Sequence, residues 1–321
     1  FGKVALGTAI GAMSGTTLLN SKAQAQTRKA HAAGVYHNGV MQLNQNESAR
    51  GPGPKTLEAI RNHTTKRIGM GYSPDHVNEL REGIANYYRV GTENVLLSTG
   101  STPLLEAITR AYCDENKALV IPMPTYSTSL QAANRIKAKT IELPLGRDLG
   151  IDLDAVARNA EGSGLLYVCN PNNPTGTIHG PDAIEKFVRT VMRENPDVHV
   201  QIDEAYINYT RPGAMETALP LALEYENVSV TRSFSKAHGL AGMRIGYALA
   251  QEKTLEKIDA AWGLGDVNSL AAVAALTALE DEEHIAWEAQ ENAEIRDEVI
   301  GFFRSQGHEV PDSNTNHIFV N

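Results

Sequence analysis

The sequence predicts an α/β protein: a large domain of three αβα layers around a mainly parallel sheet, followed by a smaller α+β domain. Between residues 95 and 250, short apolar runs alternate with helical patterns, which is typical of βαβ units with helices on both sheet faces. After Gly265 the pattern changes to long helical stretches. The chain stops just after a strand-like run at 317–320, so we expect the smaller domain to be truncated at its C-terminus.

Seven apolar runs predict strands, and segments between them predict helices. The predicted strands span residues 95–98, 118–121, 140–143, 165–169, 198–202, 228–231 and 245–250. The predicted helices include residues 103–112, 127–136, 153–160 and 182–194. Active sites of such sheets lie at the carboxyl ends of the strands, so the loops after these runs are where chemistry is expected.

The composition excludes several classes of protein. The 321 residues contain 42% apolar residues, which is enough for a sizeable core and argues against a disordered chain. The formal net charge is -9 and no basic block is present, so no nucleic-acid partner is expected. Cys113 and Cys169 are too few for a disulfide framework or a cysteine-cluster zinc site, and no metal site is predicted.

Residues 1–26 resemble an export signal. Residues 4–19 are uncharged and apolar but too short to span a membrane stably. Ala23 and Ala25 form the A-x-A pattern of a cleavage site, and the opening Phe-Gly-Lys fits the end of an incomplete twin-arginine motif. We expect a periplasmic protein exported in the folded state. The alternative is a structural helix and a cytoplasmic protein.

The loop after the first predicted strand has the composition of a phosphate-binding helix N-terminus. Gly100 permits a tight turn, Ser101 and Thr102 can cap a helix, and Pro103 suits its first turn. The free N–H groups and the dipole of such a terminus bind phosphate. Many loops of this kind cap a helix without binding a ligand.

Three later strand ends carry reactive or polar residues. Asn173 lies between X-Pro pairs and a glycine that hold an irregular backbone, although a structural turn explains them equally well. Asp203 follows an apolar strand, where a carboxylate needs a cation or hydrogen bonds. Lys236 is preceded by Ser233 and followed by a glycine-rich turn and Arg244, which predicts a Schiff-base lysine beside a phosphate cup.

Taken in order, NPNNPTG at 170–176, DEAY at 203–206 and SFSKAHGLAGMRIGY at 233–247 resemble the fold-type-I pyridoxal-phosphate aminotransferases of classes I and II. LNQNESARGPGP at 43–54 is similar to the opening motif of the histidinol-phosphate aminotransferase branch. The resemblance implies a transaminase that uses pyridoxal 5′-phosphate. It would move an amino group from an amino acid or a histidinol-phosphate-like amine to a 2-oxo acid by a ping-pong mechanism.

The resemblance also implies roles for individual residues. Lys236 would form the internal aldimine and then shuttle a proton, and Asp203 would keep the pyridine nitrogen protonated. Asn173 and Tyr206 would hydrogen-bond the phenolic oxygen of the cofactor. Tyr126 would stack on the pyridine ring. The residues expected to hold the phosphate are Gly100, Ser101, Thr102, Ser233, Ser235 and Arg244.

The same resemblance suggests an assembly and a division into segments. Tyr72 matches the tyrosine that reaches the phosphate of the neighbouring subunit, which implies a homodimer with shared active sites. After the signal at 1–26, we expect an N-terminal arm and part of the small domain at 27–75. The large cofactor-binding domain would span 76–265, and the start of the C-terminal small domain would span 266–321.

Two features leave the substrate open. Arg50 stands where relatives carry Tyr or Leu, which suggests an acidic or phosphorylated substrate near Arg50 and Asn173, or else a solvated loop arginine. The arginine that binds the substrate carboxylate in relatives lies beyond Asn321.

A decarboxylase or lyase of the same fold is the nearest alternative to a transaminase, and a non-catalytic ligand-binding module is a second. A dinucleotide-binding dehydrogenase is disfavoured because no G-x-G-x-x-G follows the first strand.

Overall fold

The computed structural model describes residues 36–37, 40–41, 43–66 and 75–320. They fall into two compact units, one up to Gly51 and one from Pro52 onward. In the first unit, strands β1 (Tyr36–His37) and β2 (Val40–Met41) pair antiparallel. The predicted signal at residues 1–26 lies outside the described residues. The four predicted segments remain a prediction.

The second unit is built on a seven-stranded mixed sheet in the order β3-β9-β8-β7-β6-β4-β5. Strand β9 runs antiparallel to both neighbours, and the other pairings are parallel. All seven predicted strands are present, with ends within two residues of the prediction. The strands are β3 (Val95–Ser98), β4 (Ala118–Met123), β5 (Thr140–Pro144), β6 (Ser163–Cys169), β7 (His199–Asp203), β8 (Val228–Ser233) and β9 (Gly246–Leu249).

Helices cover both faces of this sheet, which confirms the predicted α/β class. Along β6, Leu165 and Tyr167 belong to one apolar cluster, whereas Leu166 and Val168 belong to another, as the two-residue period of a strand requires. The helices are α1 (Pro54–His63), α2 (Asp75–Tyr88), α3 (Ser101–Tyr112), α4 (Thr128–Arg135), α5 (Leu153–Arg158), α6 (Pro181–Glu194), α7 (Leu219–Glu224), α8 (Glu252–Ala261), α9 (Ser269–Glu280) and α10 (Glu282–Ser305).

Helix α6 shows why these segments are helical. Its buried side chains recur every three to four residues, so they form one apolar stripe against the sheet. The buried residues are Ile184, Phe187, Val188, Val191 and Met192. Helix α9 is apolar on nearly all sides and packs against both α1 and α2. Among the described helices, none has the length and hydrophobicity that crossing a bilayer requires.

The apolar run at 317–320 was predicted to be strand-like, and this prediction is wrong. These residues have no regular secondary structure. Side chains of α10 instead hold the preceding segment: Asn292 Nδ2 and Arg296 Nη1 donate to the Thr315 carbonyl at 3.0 and 3.2 Å. Because side chains satisfy this carbonyl, the segment does not depend on pairing with a strand at that point.

Candidate active site

The polar residues singled out above meet at one edge of the sheet. Cys169 and Asp203 are register partners at the ends of β6 and β7. Gly246 opens β9 between Ser98 and Ser233, the last residues of β3 and β8. The loops that follow these strands therefore converge, as expected at the carboxyl ends of parallel strands.

Asp203 is a buried carboxylate, and the two side chains that hydrogen-bond it are both neutral. The Tyr167 hydroxyl donates to its Oδ2 at 2.9 Å and the Thr231 hydroxyl to its Oδ1 at 3.1 Å. Burial is the largest influence and raises the pKa of Asp203 to about 6, although these hydrogen bonds oppose the rise. The negative charge of the neighbouring Glu204 adds to the rise. The carboxylate suits a ligand that brings a protonated ring nitrogen.

Lys236, Tyr206 and Asn173 lie beside one another. The Asn173 side-chain amide donates to the Tyr206 hydroxyl at 3.3 Å, and the Lys236 Nζ lies 5.2 Å from the centre of the Tyr206 ring. Tyr206 is buried. A small carbonyl compound bound near Nζ would therefore have a phenol and an amide within reach.

The loop that carries Asn173 is tied to the loop that carries Tyr126. The Thr125 hydroxyl donates to the Asn172 side-chain oxygen at 2.6 Å, and the Asn172 amide donates to the Pro124 carbonyl at 3.2 Å. The Tyr126 hydroxyl lies 3.3 Å from the Thr102 Oγ1, on the first turn of α3. Tyr126 therefore stands next to the predicted phosphate-binding terminus. Its stacking role remains a prediction.

The six residues predicted to bind phosphate form one cup. Gly100 has φ +98° and immediately precedes α3, and a Cβ on it would collide with the Arg244 guanidinium. Arg244 Nη1 lies 3.5 Å from the Ser235 Oγ, and the Ser235 N–H donates to the Ser233 Oγ at 3.1 Å. Ser101 and Thr102 complete the cup on the first turn of α3.

This cup offers the kinds of donor group that bind phosphate. Helix N–H groups, hydroxyls and a guanidinium are the donors that phosphate prefers. The Arg244 Nη1 donates to the Ala241 carbonyl at 2.9 Å, and no ion pair of Arg244 with a described carboxylate is found. Together with Asp203, the cup fits a ligand that carries both a phosphate and a cationic ring nitrogen.

Gly246→Ala is expected to weaken binding of such a phosphate by about 10-fold or more, since hydrogen bonds to a charged group are displaced. A Cβ at this position would lie 2.5 Å from the Ser101 nitrogen and 2.7 Å from the Gly100 carbonyl carbon, both backbone atoms. Titration of the apoprotein with pyridoxal 5′-phosphate measures the effect. Gly242→Ala is the matched control, because its Cβ would meet nothing within 4 Å. Equal affinities for both variants would contradict this account of the cup.

Two predicted residues are not placed in this site. Tyr72 lies outside the described residues. Arg50 belongs to the first unit, where its backbone N–H donates to the Ser48 hydroxyl at 3.2 Å. Their roles remain predictions. In the described residues, no group of three or more His, Cys, Asp or Glu is arranged to hold a metal ion.

Sequence reasoning missed a buried ion pair beneath the lysine loop. The Arg232 Nε donates to the Glu204 Oε2 at 2.7 Å, and both side chains are almost fully buried. Glu204 also accepts from the Ala218 N–H at 2.7 Å, which ties the start of α7 to the end of β7. Glu204 belongs to the DEAY motif and Arg232 lies in β8, just before the lysine loop. Their pairing could not be predicted from the sequence, because it depends on β7 and β8 being neighbours in the sheet.

A cavity of about 760 Å³ lies away from this chemistry. Arg232 and His238 are among its lining residues, whereas Lys236 and Asp203 are not. The His238 ring packs against the Phe234 ring, with centroids 4.8 Å apart. Burial lowers the pKa of His238 to about 3, and the Arg232 charge adds to this effect. His238 is therefore a neutral packing residue next to the lysine loop.

Comparisons with known proteins agree with this geometry. Residues 38–320 match the family described as aminotransferase class I and II. A histidinol-phosphate aminotransferase of Lactiplantibacillus plantarum is 33% identical over 284 residues, which cover 87% of this chain and 78% of that protein.

Solved structures show the same fold. Histidinol-phosphate aminotransferase from Sinorhizobium meliloti, solved in complex with pyridoxal 5′-phosphate, gives a TM-score of 0.77 at 26% identity, over 86% of this chain and 74% of that one. Aspartate aminotransferase from Thermus thermophilus gives 0.75 at 20% identity, over 94% and 80%, and shows the fold alone. The chain therefore belongs to the class I and II aminotransferases and is a pyridoxal 5′-phosphate-dependent enzyme.

Proposed function

We propose that this aminotransferase takes the amino group from an amine of the histidinol-phosphate type and passes it to a 2-oxo acid. The observation that carries this proposal is the 33% identity to histidinol-phosphate aminotransferases across 87% of the chain. The fold does not identify the donor, because aspartate aminotransferases share it. The sequence similarity favours an amine that carries an anionic group.

The residues of the site have separate roles in this proposal. Bound pyridoxal 5′-phosphate supplies an electron sink for the bond broken at the substrate α-carbon. Asp203 holds a proton on the ring nitrogen through its buried carboxylate, and the cup around Arg244 fixes the phosphate. Lys236 Nζ accepts the proton that the substrate α-carbon loses and then donates it in the following proton transfer. Tyr206 and Asn173, which are joined by a hydrogen bond of 3.3 Å, hydrogen-bond the phenolic oxygen of the cofactor and so orient its ring.

A comparison of two donors tests the substrate class. Histidinol phosphate and histidinol differ only in the phosphate, so we expect kcat/KM to be about 10-fold or more higher for histidinol phosphate if its phosphate is recognised by charged groups. Mass spectrometry of the products shows whether the amino group is transferred. Equal rates for the two donors would refute the histidinol-phosphate assignment, and release of carbon dioxide from amino acids would favour the decarboxylase alternative.

We propose further that two copies of the chain share their active sites through Tyr72. The motif GMGYSP around Tyr72 supports this assembly. Sedimentation of the purified protein should then give twice the mass of its single chain, as measured by mass spectrometry of the denatured protein. Tyr72→Phe and Lys236→Ala, each of low activity, should regain activity when co-expressed, because a mixed dimer contains one intact site. Failure to regain activity in a proven mixed dimer would refute the sharing of sites.

We also propose that residues 1–26 direct the folded enzyme to the periplasm. The apolar run at 4–19 and the A-x-A pattern at Ala23 and Ala25 support this. Cell fractionation followed by N-terminal sequencing should recover a periplasmic protein that starts after Ala25. A cytoplasmic protein that keeps residues 1–26 would instead favour the cytoplasmic alternative.

A further inference from the structure

His317 lies at the edge of the active site. Its ring meets the Tyr206 ring edge-on, with centroids 5.0 Å apart and planes at 77°. Lys236 Nζ lies 5.2 Å from the centre of the same Tyr206 ring. The imidazole and the reactive amine thus flank one phenol, so a substrate of amino-acid size at Lys236 comes within reach of His317.

The chain around His317 is held firmly in this position. The Ser313 and Thr315 hydroxyls donate to the His317 carbonyl at 2.6 and 3.0 Å, and both residues are buried. The Asn314 N–H donates to the Gly176 carbonyl at 2.8 Å. Gly176 belongs to the loop that carries Asn173. This hydrogen bond therefore ties the segment of His317 to the loop of Asn173.

The imidazole of His317 has unmet hydrogen-bonding capacity. Both ring nitrogens are buried, and neither has a hydrogen-bond partner among the residues that the structure describes. Burial and the positive charge of Lys236 lower the pKa of His317 to about 4, and an interaction with the Asn172 backbone opposes this shift. A neutral imidazole carries one N–H donor and one acceptor. Leaving such groups unpaired in a buried site is costly.

We propose that His317 is a substrate-contacting residue whose ring N–H donates to an anionic oxygen of the amine donor, in a carboxylate or a phosphate. The inference rests on the proposed aminotransferase function. An anion suits this place because the Lys236 amine, whose charge acts on His317, is positive. The ring contact with Tyr206 places the imidazole beside the reactive amine, where a bound anionic oxygen could accept from a ring N–H that has no hydrogen-bond partner among the described residues.

The test compares His317→Phe with His317→Gln in the cofactor-loaded enzyme. Phenylalanine keeps the aromatic edge against Tyr206 but removes both nitrogens, whereas glutamine keeps an N–H donor. We expect His317→Phe to raise KM for the anionic donor about 10-fold or more, with kcat and cofactor affinity changed less than about 3-fold. His317→Gln should recover part of this loss. His179→Phe is the control, because His179 also has a buried unpartnered nitrogen but lies outside the site.

Calorimetry with maleate and with inorganic phosphate separates the two oxygen classes and needs no turnover. The anion whose affinity falls about 10-fold in His317→Phe identifies the class that His317 binds. Unchanged affinities for both anions, or no binding of either to the unaltered enzyme, would overturn the proposal. If no donor reacts but one anion still depends on His317, the contact stands and the proposed function fails. A drop in cofactor affinity equal to the rise in KM would instead indicate a purely structural residue and also overturn it.

Discussion

Lys236→Ala is expected to lower kcat for transamination by about 10⁴-fold or more. The Lys236 amine lies 5.2 Å from the centre of the Tyr206 ring, in the loop that follows β8. It is the side chain proposed both to bind the cofactor covalently and to move the substrate proton, and alanine can do neither. Stopped-flow absorbance of the bound cofactor after addition of an amine donor measures the loss.

Three controls distinguish this chemical role from damage to the fold. Lys253→Ala removes a lysine that is 77% exposed and should leave kcat unchanged. Lys236→Arg keeps the positive charge but should be as inactive as Lys236→Ala. Added methylamine should restore part of the rate in Lys236→Ala, since a free amine can carry the proton. If Lys236→Ala kept more than about one hundredth of the activity, the proposed role of Lys236 would be wrong.

Asp203 and Lys236, at the centre of the site, could be selected from the sequence because each lies at or just after the end of a predicted strand. Asp203 ends a strand of five buried residues, and Lys236 comes three residues after another buried strand. In both strands apolar residues alternate with polar ones, at Val200 and Ile202 and at Val228 and Val230, and this pattern marks where each strand ends. Gly100 could also be selected from the sequence, and a Cβ on it would collide with the Arg244 side chain.

The residues that surround this centre could not be selected in the same way. The Tyr167 and Thr231 hydroxyls bind Asp203 because β6 and β8 flank β7, and strand order is a tertiary property. His317 lies 111 residues along the chain from Tyr206, and its run was predicted to be strand-like. Its position depends on side-chain bonds from α10 and from Ser313, which no local pattern reveals.

Asp203→Asn is expected to lower kcat by about 10³-fold or more while making the cofactor-free protein more stable above pH 6. Catalysis is lost because a neutral amide cannot hold a proton on the cofactor ring nitrogen. The gain in stability has a separate cause. Burial raises the pKa of Asp203 from its ordinary value of 3.8 to about 6. Ionising Asp203 is therefore less favourable in the folded protein than in the unfolded chain, and this cost applies in full above pH 6.

The sign of the pH dependence follows from this difference. Between about pH 4 and pH 6 the folded state binds more protons at Asp203, so its contribution to stability is present below pH 4 and is lost as the pH rises through 6. Above pH 6 the ionised carboxylate costs of order 3 kcal/mol, at about 1.4 kcal/mol for each pKa unit. Asparagine removes this cost and can still accept from the Tyr167 or Thr231 hydroxyl.

Thermal unfolding of both cofactor-free proteins at pH 4.5 and pH 8 measures this effect. The variant should unfold several degrees higher than the unaltered protein at pH 8, and the difference should shrink at pH 4.5. Pyridoxal 5′-phosphate should reverse the order at pH 8, because its protonated ring nitrogen supplies a cation that pairs with Asp203. If the cofactor-free variant were instead less stable at pH 8, this explanation would be wrong. The hydrogen bonds from Tyr167 and Thr231 would then stabilise the ionised Asp203 carboxylate by more than burial destabilises it, even without a cation.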